Sequence, residues 1–245
     1  MVVVLGLDTA TADAVVGVTA GGEVIREARV DPETDGRPRH SQVLLPEIER
    51  CVEAAGGWEA IERIAVGIGP GSFTGLRIGI ATARGLAQAR EIPIVPVGSL
   101  AALGRGISVD ARVLHAKRGA TRFMEGDERL ALPVFDARRG EAFAALLEHD
   151  GAERWPPFVG PPGELADRVR DLDRPCLAAG DGALAFAAEL EAAGATVAPP
   201  QDPIHRIAAS DVCAVGEAAS GAPPDQIQPL YLRPPDAKKW LERDR

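Results

Sequence analysis

The apolar positions of the chain fall into short runs whose period changes along its length. Residues 2–7 form a continuous valine-rich run, the pattern of a strand buried on both faces. Asp8-Thr9-Ala10-Thr11 supplies turn residues, Ala14 to Thr19 reads as a second strand, and Gly21-Gly22 marks a hairpin. Glu23 to Val30 alternates Val24, Arg26 and Ala28 against Ile25, Glu27 and Arg29, which predicts a third, half-exposed strand. The chain therefore opens on an antiparallel meander. Residues 31–39 are polar and predict a loop. Ser41 precedes a helix whose inward face is Leu44, Ile48, Cys51 and Ala55. Pro46 removes a backbone hydrogen bond inside it and predicts a kink or a later start, and Gly56-Gly57 ends it.

Ile64 to Ile68 predicts a buried strand, Gly69 to Gly75 a turn, and Leu76 to Ala89 a helix. Ile92 to Val97 is a strand whose Pro93 and Pro96 mark an edge or its ends, and Ser99 starts the next helix. Residues 105–132 are polar without a clear period and read as a surface excursion. From Pro133 the opening order returns. Val134-Phe135-Asp136 is a strand ending in aspartate, Arg138-Arg139-Gly140 a turn, Glu141 to His149 the return strand, and Asp150-Gly151 a further turn. A helix over 163–172, a strand over 176–179, a helix over 183–193, a short strand over 196–198 and a helix over 207–220 complete the pattern.

This recurrence of strand, aspartate, turn and strand is a weak internal duplication. Two hairpin-first lobes of this kind describe the α/β, actin-like and sugar-kinase-like architecture, with mixed sheets flanked by helices. The expected organisation is a first lobe over 1–104, a polar insertion over 105–132 and a smaller second lobe over 133–220. The tail, 221–245, is rich in proline, cannot be a long helix and is expected to return to the first lobe.

The chain has 245 residues, enough for two small cores, and a formal net charge of -9. An acidic chain disfavours binding driven by phosphate contacts, so any nucleic acid would be met mainly through a partner. The lysines are Lys117, Lys238 and Lys239, so none can serve a nucleotide site in the first half. Cys51, Cys176 and Cys213 are too widely spaced for a disulfide framework or a metal cluster and fit a reducing compartment. The apolar start is short and runs into Gly-Leu-Asp without a basic leader, and no run approaches the ~18 apolar residues of a membrane span. These features predict a cytoplasmic location and no membrane partner.

Gly69-Pro70-Gly71-Ser72-Phe73-Thr74-Gly75 joins a strand to a helix, where an anion can be held. A Walker loop requires Lys and Ser/Thr after the last glycine, and here Leu76-Arg77 follows; three residues between Gly71 and Gly75 also break the dinucleotide pattern. A tight turn is the preferred reading, with Asp8, Gly69, Gly71 and Ser72 left as weak ligand-binding candidates. Gly75, Gly79, Ala83 and Ala87 then recur at four-residue spacing, which permits close approach either of the chain's own sheet or of another subunit. Asp8 and Asp136 each end a strand, where they face a cleft or simply cap a turn. The four histidines, His40, His115, His149 and His205, have no metal-ligand spacing. No catalytic residue, cofactor or metal is predicted.

The string Gly67-Ile68-Gly69-Pro70-Gly71-Ser72-Phe73-Thr74-Gly75-Leu76-Arg77-Ile78-Gly79 closely resembles the TsaB (YeaZ) family, which is required to make threonylcarbamoyladenosine in bacterial tRNA. Leu7-Asp8-Thr9-Ala10-Thr11, Arg39-His40-Ser41 with Leu44-Leu45-Pro46, Asp136-Ala137-Arg138-Arg139-Gly140-Glu141 and Pro229-Leu230-Tyr231-Leu232-Arg233 carry the likeness over nearly the whole chain. The resemblance implies an actin-like fold. It also implies a non-catalytic scaffold and activator of TsaD, the enzyme that transfers the threonylcarbamoyl group to the adenosine beside the anticodon. A TsaE-like ATPase is the second implied partner, a homodimer a third assembly, and tRNA is met only indirectly. The family's first-lobe pairing places the partner interface on Leu44, Ile48, Cys51, Gly75, Gly79, Ile80, Ala83 and Ala87. TsaD-like proteins carry HxxxH where this chain has Ser99 and Leu103. The alternative is an ATP-binding phosphotransferase of the actin-like superfamily. The segment 107–132 is longer than the family pattern predicts.

Overall fold

A computed structural model describes residues 1–109 and 129–233. The first half contains β1 (Val3–Asp8), β2 (Ala14–Ala20), β3 (Glu23–Val30), α1 (His40–Ala54), β4 (Arg63–Gly69), α2 (Phe73–Arg90) and β5 (Ile94–Gly98). Then come α3 (Ser99–Val109), β6 (Leu130–Arg138), β7 (Glu141–Leu147), β8 (Glu153–Gly160), α4 (Pro162–Arg170), β9 (Cys176–Ala179), α5 (Asp181–Ala185), α6 (Ala187–Ala192), β10 (Thr196–Val197) and α7 (Ala209–Ala218). The strands form two sheets with orders β3-β2-β1-β4-β5 and β10-β9-β6-β7-β8. In each, a three-stranded antiparallel meander continues into two parallel strands. The second order read backwards matches the first strand for strand, so the hairpin-first repeat in the sequence is a repeat of topology.

The layers follow from alternation along the strands. In β6, Leu130, Leu132 and Val134 face a core completed by Leu165 and Val169 of α4 and Leu190 of α6. Ala131, Phe135 and Ala137 face the opposite way, onto α3, in the cluster that also holds α7 residues. In β1, Leu5 and Leu7 meet Leu44, Ile48, Leu76 and Ile80 of α1 and α2, whereas Val4 joins the α3 and α7 side. The stack is therefore α1 and α2, first sheet, α3 and α7, second sheet, then α4 with α6. Of the middle helices, α3 packs on strands of both sheets, whereas α7 packs on the first sheet and against α3.

Helix α7 packs on β1, β2 and β4 of the first sheet, although its sequence lies within the 133–220 segment assigned above to the second lobe. Small residues make this possible. A Cβ at Gly6 would lie 2.6 Å from the Cys213 sulfur, and one at Gly17 would lie 2.9 Å from the Ala209 Cβ. The Arg63 guanidinium, on β4, closes the helix by donating to the carbonyls of Gly216 (3.1 Å), Glu217 (3.0 Å) and Ala219 (2.8 Å). These are carbonyls that a helix end leaves unpaired, and a cation there also suits the helix dipole.

Several elements differ from their sequence pattern. Helix α1 begins at His40 and runs through Pro46. The predicted helix over 183–193 is two short helices, α5 and α6, which meet at Phe186. Strand β8 escaped prediction because it holds Pro156 and Pro157; it is an edge strand, where missing N–H groups are tolerated. Of the polar excursion, 105–109 belongs to α3 and 130–132 to β6, and 110–128 lie outside the described residues. The tail bridges β5 at Ala222, buries Ile227 in the first core, and donates from Leu230 N–H to the Ile68 carbonyl (2.8 Å). Replacing Arg63 with alanine strands the end of α7; unfolding free energy measured in urea should fall by about 1–3 kcal/mol.

Candidate functional site

The two hairpin turns, the start of α2 and the tail converge on a cleft of about 790 Å³. On the first-lobe side its wall is the turn after β1, and that turn is anchored by Asp8. The Asp8 carboxylate is buried and accepts from the Ala10 N–H (2.6 Å) and from the Ser99 hydroxyl (2.6 Å). Ser99, the first residue of α3, in turn accepts from the Gly69 N–H (3.1 Å). A Cβ at Gly67 would fall 1.8 Å from the Asp8 carboxylate, so β4 passes directly behind it. Burial pushes the Asp8 carboxyl up to about 6, against the opposing pull of its hydrogen bonds from Ser99 and Ala10.

The far end of this turn is held by Asp13, whose carboxylate accepts from the Arg206 Nε (2.7 Å) and whose carbonyl lies 3.1 Å from His40 Nε2. A carbonyl only accepts, so Nε2 carries the ring proton. Burial pushes His40 below its ordinary value, with the Asp13 carbonyl pulling the other way.

The glycine-rich junction packs against the same turn. A Cβ at Gly71 would lie 2.4 Å from the Ala10 carbonyl oxygen, at Gly75 2.1 Å from the Thr9 carbonyl oxygen, and at Gly79 2.3 Å from the Thr9 hydroxyl. Thr9 also donates its hydroxyl to the Gly75 carbonyl (2.8 Å). The amide of Ser72 donates to Ala10 O (2.7 Å), and the Ser72 hydroxyl caps the helix by accepting from the Gly75 N–H (3.3 Å). The glycines thus admit the chain's own backbone, and two of the amides that would cradle a phosphate are engaged internally.

The structure brings Asp8, Gly69, Gly71 and Ser72 together around this turn. Of the eight residues that the resemblance placed at a partner interface, Leu44, Ile48, Cys51, Gly75, Gly79, Ile80, Ala83 and Ala87 are all buried within this chain. The stripe Gly75, Gly79, Ala83, Ala87 meets Thr9 and the first core. The outward face of α2 carries Ala81, Gly85, Gln88 and Ala89, and that of α1 carries Ser41, Leu45 and Glu49.

The mouth of the cleft holds a cluster that spacing alone could not assemble. Phe73 and Tyr231 stack with ring centroids 5.1 Å apart. The Arg77 guanidinium lies over Phe73 at 3.9 Å and its Nε donates to the Tyr231 hydroxyl (3.1 Å). Across the cleft stands the β6–β7 hairpin. There Asp136 accepts from the Arg138 N–H (2.7 Å), as a turn aspartate does. Arg233 closes the tail onto this lobe by an ion pair with Glu141. Among the described residues, no three His, Cys, Asp or Glu are grouped to hold a metal ion, and no helix is long and apolar enough to cross a membrane.

Two topologically equivalent five-stranded lobes, with their first hairpins facing a shared cleft, define an actin-like protein. The same fold is seen in a hexokinase of the ROK group from Thermus thermophilus (TM-score 0.50, 15% identity, 88% of this chain and 99% of that one). YeaZ from Pseudomonas aeruginosa is more similar, with a TM-score of 0.72 and 26% identity over 95% of this chain and 100% of that one. The family model for TsaD, tRNA N6-adenosine threonylcarbamoyltransferase, matches residues 30–154. The protein TsaB of Escherichia coli, called a tRNA threonylcarbamoyladenosine biosynthesis protein, is 33% identical over 62% of this chain and 58% of its own length. TsaB of Bacillus subtilis is 28% identical over 98% of both. An uncharacterised protein of Mycobacterium leprae is 31% identical over 97% of this chain but only 56% of itself. This chain thus spans less than two thirds of the E. coli and M. leprae relatives. It belongs to the TsaB (YeaZ) family.

Asp8 makes stability depend on pH. Its folded-state value of about 6 lies above the unfolded 3.8, so the folded chain binds the extra proton between these limits. Stability should therefore fall as pH rises from about 4 to about 6, by about 3 kcal/mol in all. Asp8→Asn should flatten this slope in denaturation series run across that window. An unchanged slope would place the titrating group elsewhere.

Proposed function

We propose that this chain is a non-catalytic subunit in tRNA threonylcarbamoyladenosine formation, which binds and activates a TsaD-like transferase acting on the adenosine beside the anticodon. The names of its TsaB relatives support the pathway. The observation that carries the non-catalytic role is the fate of the two positions where TsaD-like proteins have histidines. Ser99 is buried and bonded to Asp8 and Gly69, and Leu103 lies in the core between the sheets. A TsaE-like ATPase is the expected third component, self-association the expected behaviour of the isolated chain, and the cytoplasm the expected compartment. The phosphotransferase alternative is disfavoured by the glycine turn, which Thr9 and Ala10 already fill.

The partner surface in this reading is the outward face of α1 and α2. The eight buried residues seat these helices on the sheet, and Leu45, Ala81, Gly85 and Ala89 form the contact. Leu45 is a large apolar side chain left 52% exposed on this face. Small residues on α2 let a partner helix approach closely.

Gly85 gives a clean test, because a Cβ there meets nothing within 4 Å. Gly85→Gln should leave this chain as stable or stabilise it by up to ~1 kcal/mol, through better helix propensity. The same change should weaken co-purification with the cognate TsaD at least tenfold. Full retention of the complex would exclude this face, and calorimetric binding of Mg-ATP with turnover by the chain alone would favour the phosphotransferase.

A further inference from the structure

The β6–β7 hairpin is built with residues that do not suit its backbone. Arg138, Arg139 and Gly140 all have positive φ, at 63°, 59° and 74°. Turns of this hand favour Asn-Gly, and each non-glycine residue in the left-handed region costs about 1 kcal/mol or more. Arg138 recovers part of that cost by pairing with Asp136 at the end of β6. Both side chains are exposed and both line the cleft. Strain retained at the mouth of a cleft points to a use for the side chains it displays.

The cleft also departs in sign from the chain as a whole. Four arginines, Arg77, Arg138, Arg139 and Arg233, line it against two aspartates, Asp136 and Asp181, while the full chain has a net charge of -9. Arg138 pairs with Asp136 (3.2 Å, with the arginine side chain 78% exposed) and Arg233 with Glu141. A pair held by so exposed an arginine as Arg138 is worth at most ~1 kcal/mol and exchanges readily for another anion. Facing the hairpin is the Phe73–Tyr231 stack, with both residues a little more than a third exposed. Arg77 occupies the Phe73 ring and the Tyr231 hydroxyl. That leaves the partly exposed Tyr231 as the aromatic surface, and guanidinium groups beside such a ring are the elements that single-stranded nucleic acid uses, phosphates on the former and a base on the latter.

We propose that the mouth of the cleft binds a single-stranded RNA segment, with an unpaired base stacked on Tyr231 and the adjoining phosphates held by Arg138 and Arg139. The platform and the arginine pair stand on different lobes, so the ligand must extend across the cleft. A free nucleoside triphosphate fits less well, because amides at the α2 start are engaged by Ser72 and Ala10 and no lysine precedes position 117. The site is read from this chain alone and goes beyond the partner role proposed above. Its test needs no transferase, so failure of one leaves the other standing. The acidic remainder of the chain opposes the RNA and makes binding strongly salt-dependent.

The test uses the full chain and a short, unstructured, fluorescein-labelled oligoribonucleotide followed by anisotropy at low salt. Saturable binding is expected. Tyr231→Ala should weaken it roughly tenfold or more, since stacking one base is worth about 1–3 kcal/mol, and Tyr231→Phe, which keeps the ring, should retain it. Removing Arg138 and Arg139 together should lower the slope of log affinity against log salt by about 1.4. Arg90→Ser, which removes a single positive charge at the other end of α2, should have no effect. Tyr231 is the chain's single tyrosine, so fluorotyrosine labelling yields one fluorine resonance, which should shift when RNA is added. Circular dichroism of each variant separates lost binding from lost folding. The proposal is overturned by absence of binding at low salt, by equal losses in Arg90→Ser, by equal losses in Tyr231→Phe and Tyr231→Ala, by an unmoved fluorine resonance, or by ATP binding as tightly as the oligonucleotide.

Discussion

The Asp8 carboxylate sits where three segments of the first lobe converge. Through the Ala10 amide it sets the turn after β1, and through the Ser99 hydroxyl it fixes the start of α3. Ser99 then holds the Gly69 amide at the end of β4. A buried carboxylate with fewer partners would be costly to desolvate, so all three segments are tied to one geometry. Because Thr9 and Ala10 lie in that turn, its position decides how deeply α2 can seat, and Gly71, Gly75 and Gly79 are the residues that let it seat fully.

Seating α2 has consequences on both of its sides. Inward, Leu76, Ile80, Ala83 and Ala87 close the first core. Outward, the helix is left with a face of small residues, which the proposed partner surface uses. At its N-terminus, Phe73 and Arg77 are carried to the mouth of the cleft, where the tail delivers Tyr231. The tail itself crosses from the first lobe, at Ile227 and Leu230, to the second, at Arg233 and Glu141. One short strap therefore both completes the site and joins the two sides of it.

The middle layer joins the two lobes through one apolar cluster. Helices α3 and α7 contribute Leu100, Leu103, Ile107, Val212 and Cys213 to a single cluster that also holds Val4 of the first sheet and Phe135 of the second. Their positions depend on glycines beneath α7 and on the Arg63 cap at its end. A helix late in the chain thereby covers the sheet that forms first in sequence order.

Local pattern alone determined much of this protein. Runs such as Val3–Asp8 and Cys176–Ala179, the double-glycine turn at 21–22 and the aspartates at the two first hairpins are local signals of burial and turn chemistry, and they sufficed for most of the elements and for the repeated hairpin, though not for β8 or the division of α5 from α6. The glycine motif and the tail motif carried the family. What sequence alone left open involves residues far apart along the chain. The stripe at Gly75 and Gly79 suited an outside partner and an inside one equally well, and only the position of Thr9 decides for the inside. Ser99 gave no hint that it would bind Asp8. Helix α7 read as part of the segment that precedes it, since nothing in its own pattern names the sheet it covers. Phe73, Arg77 and Tyr231 became a site, and Arg138 and Arg139 came to face them, only when the tail returned and the lobes closed. Periodicity reports which side of an element is buried; it takes the packed chain to say against what.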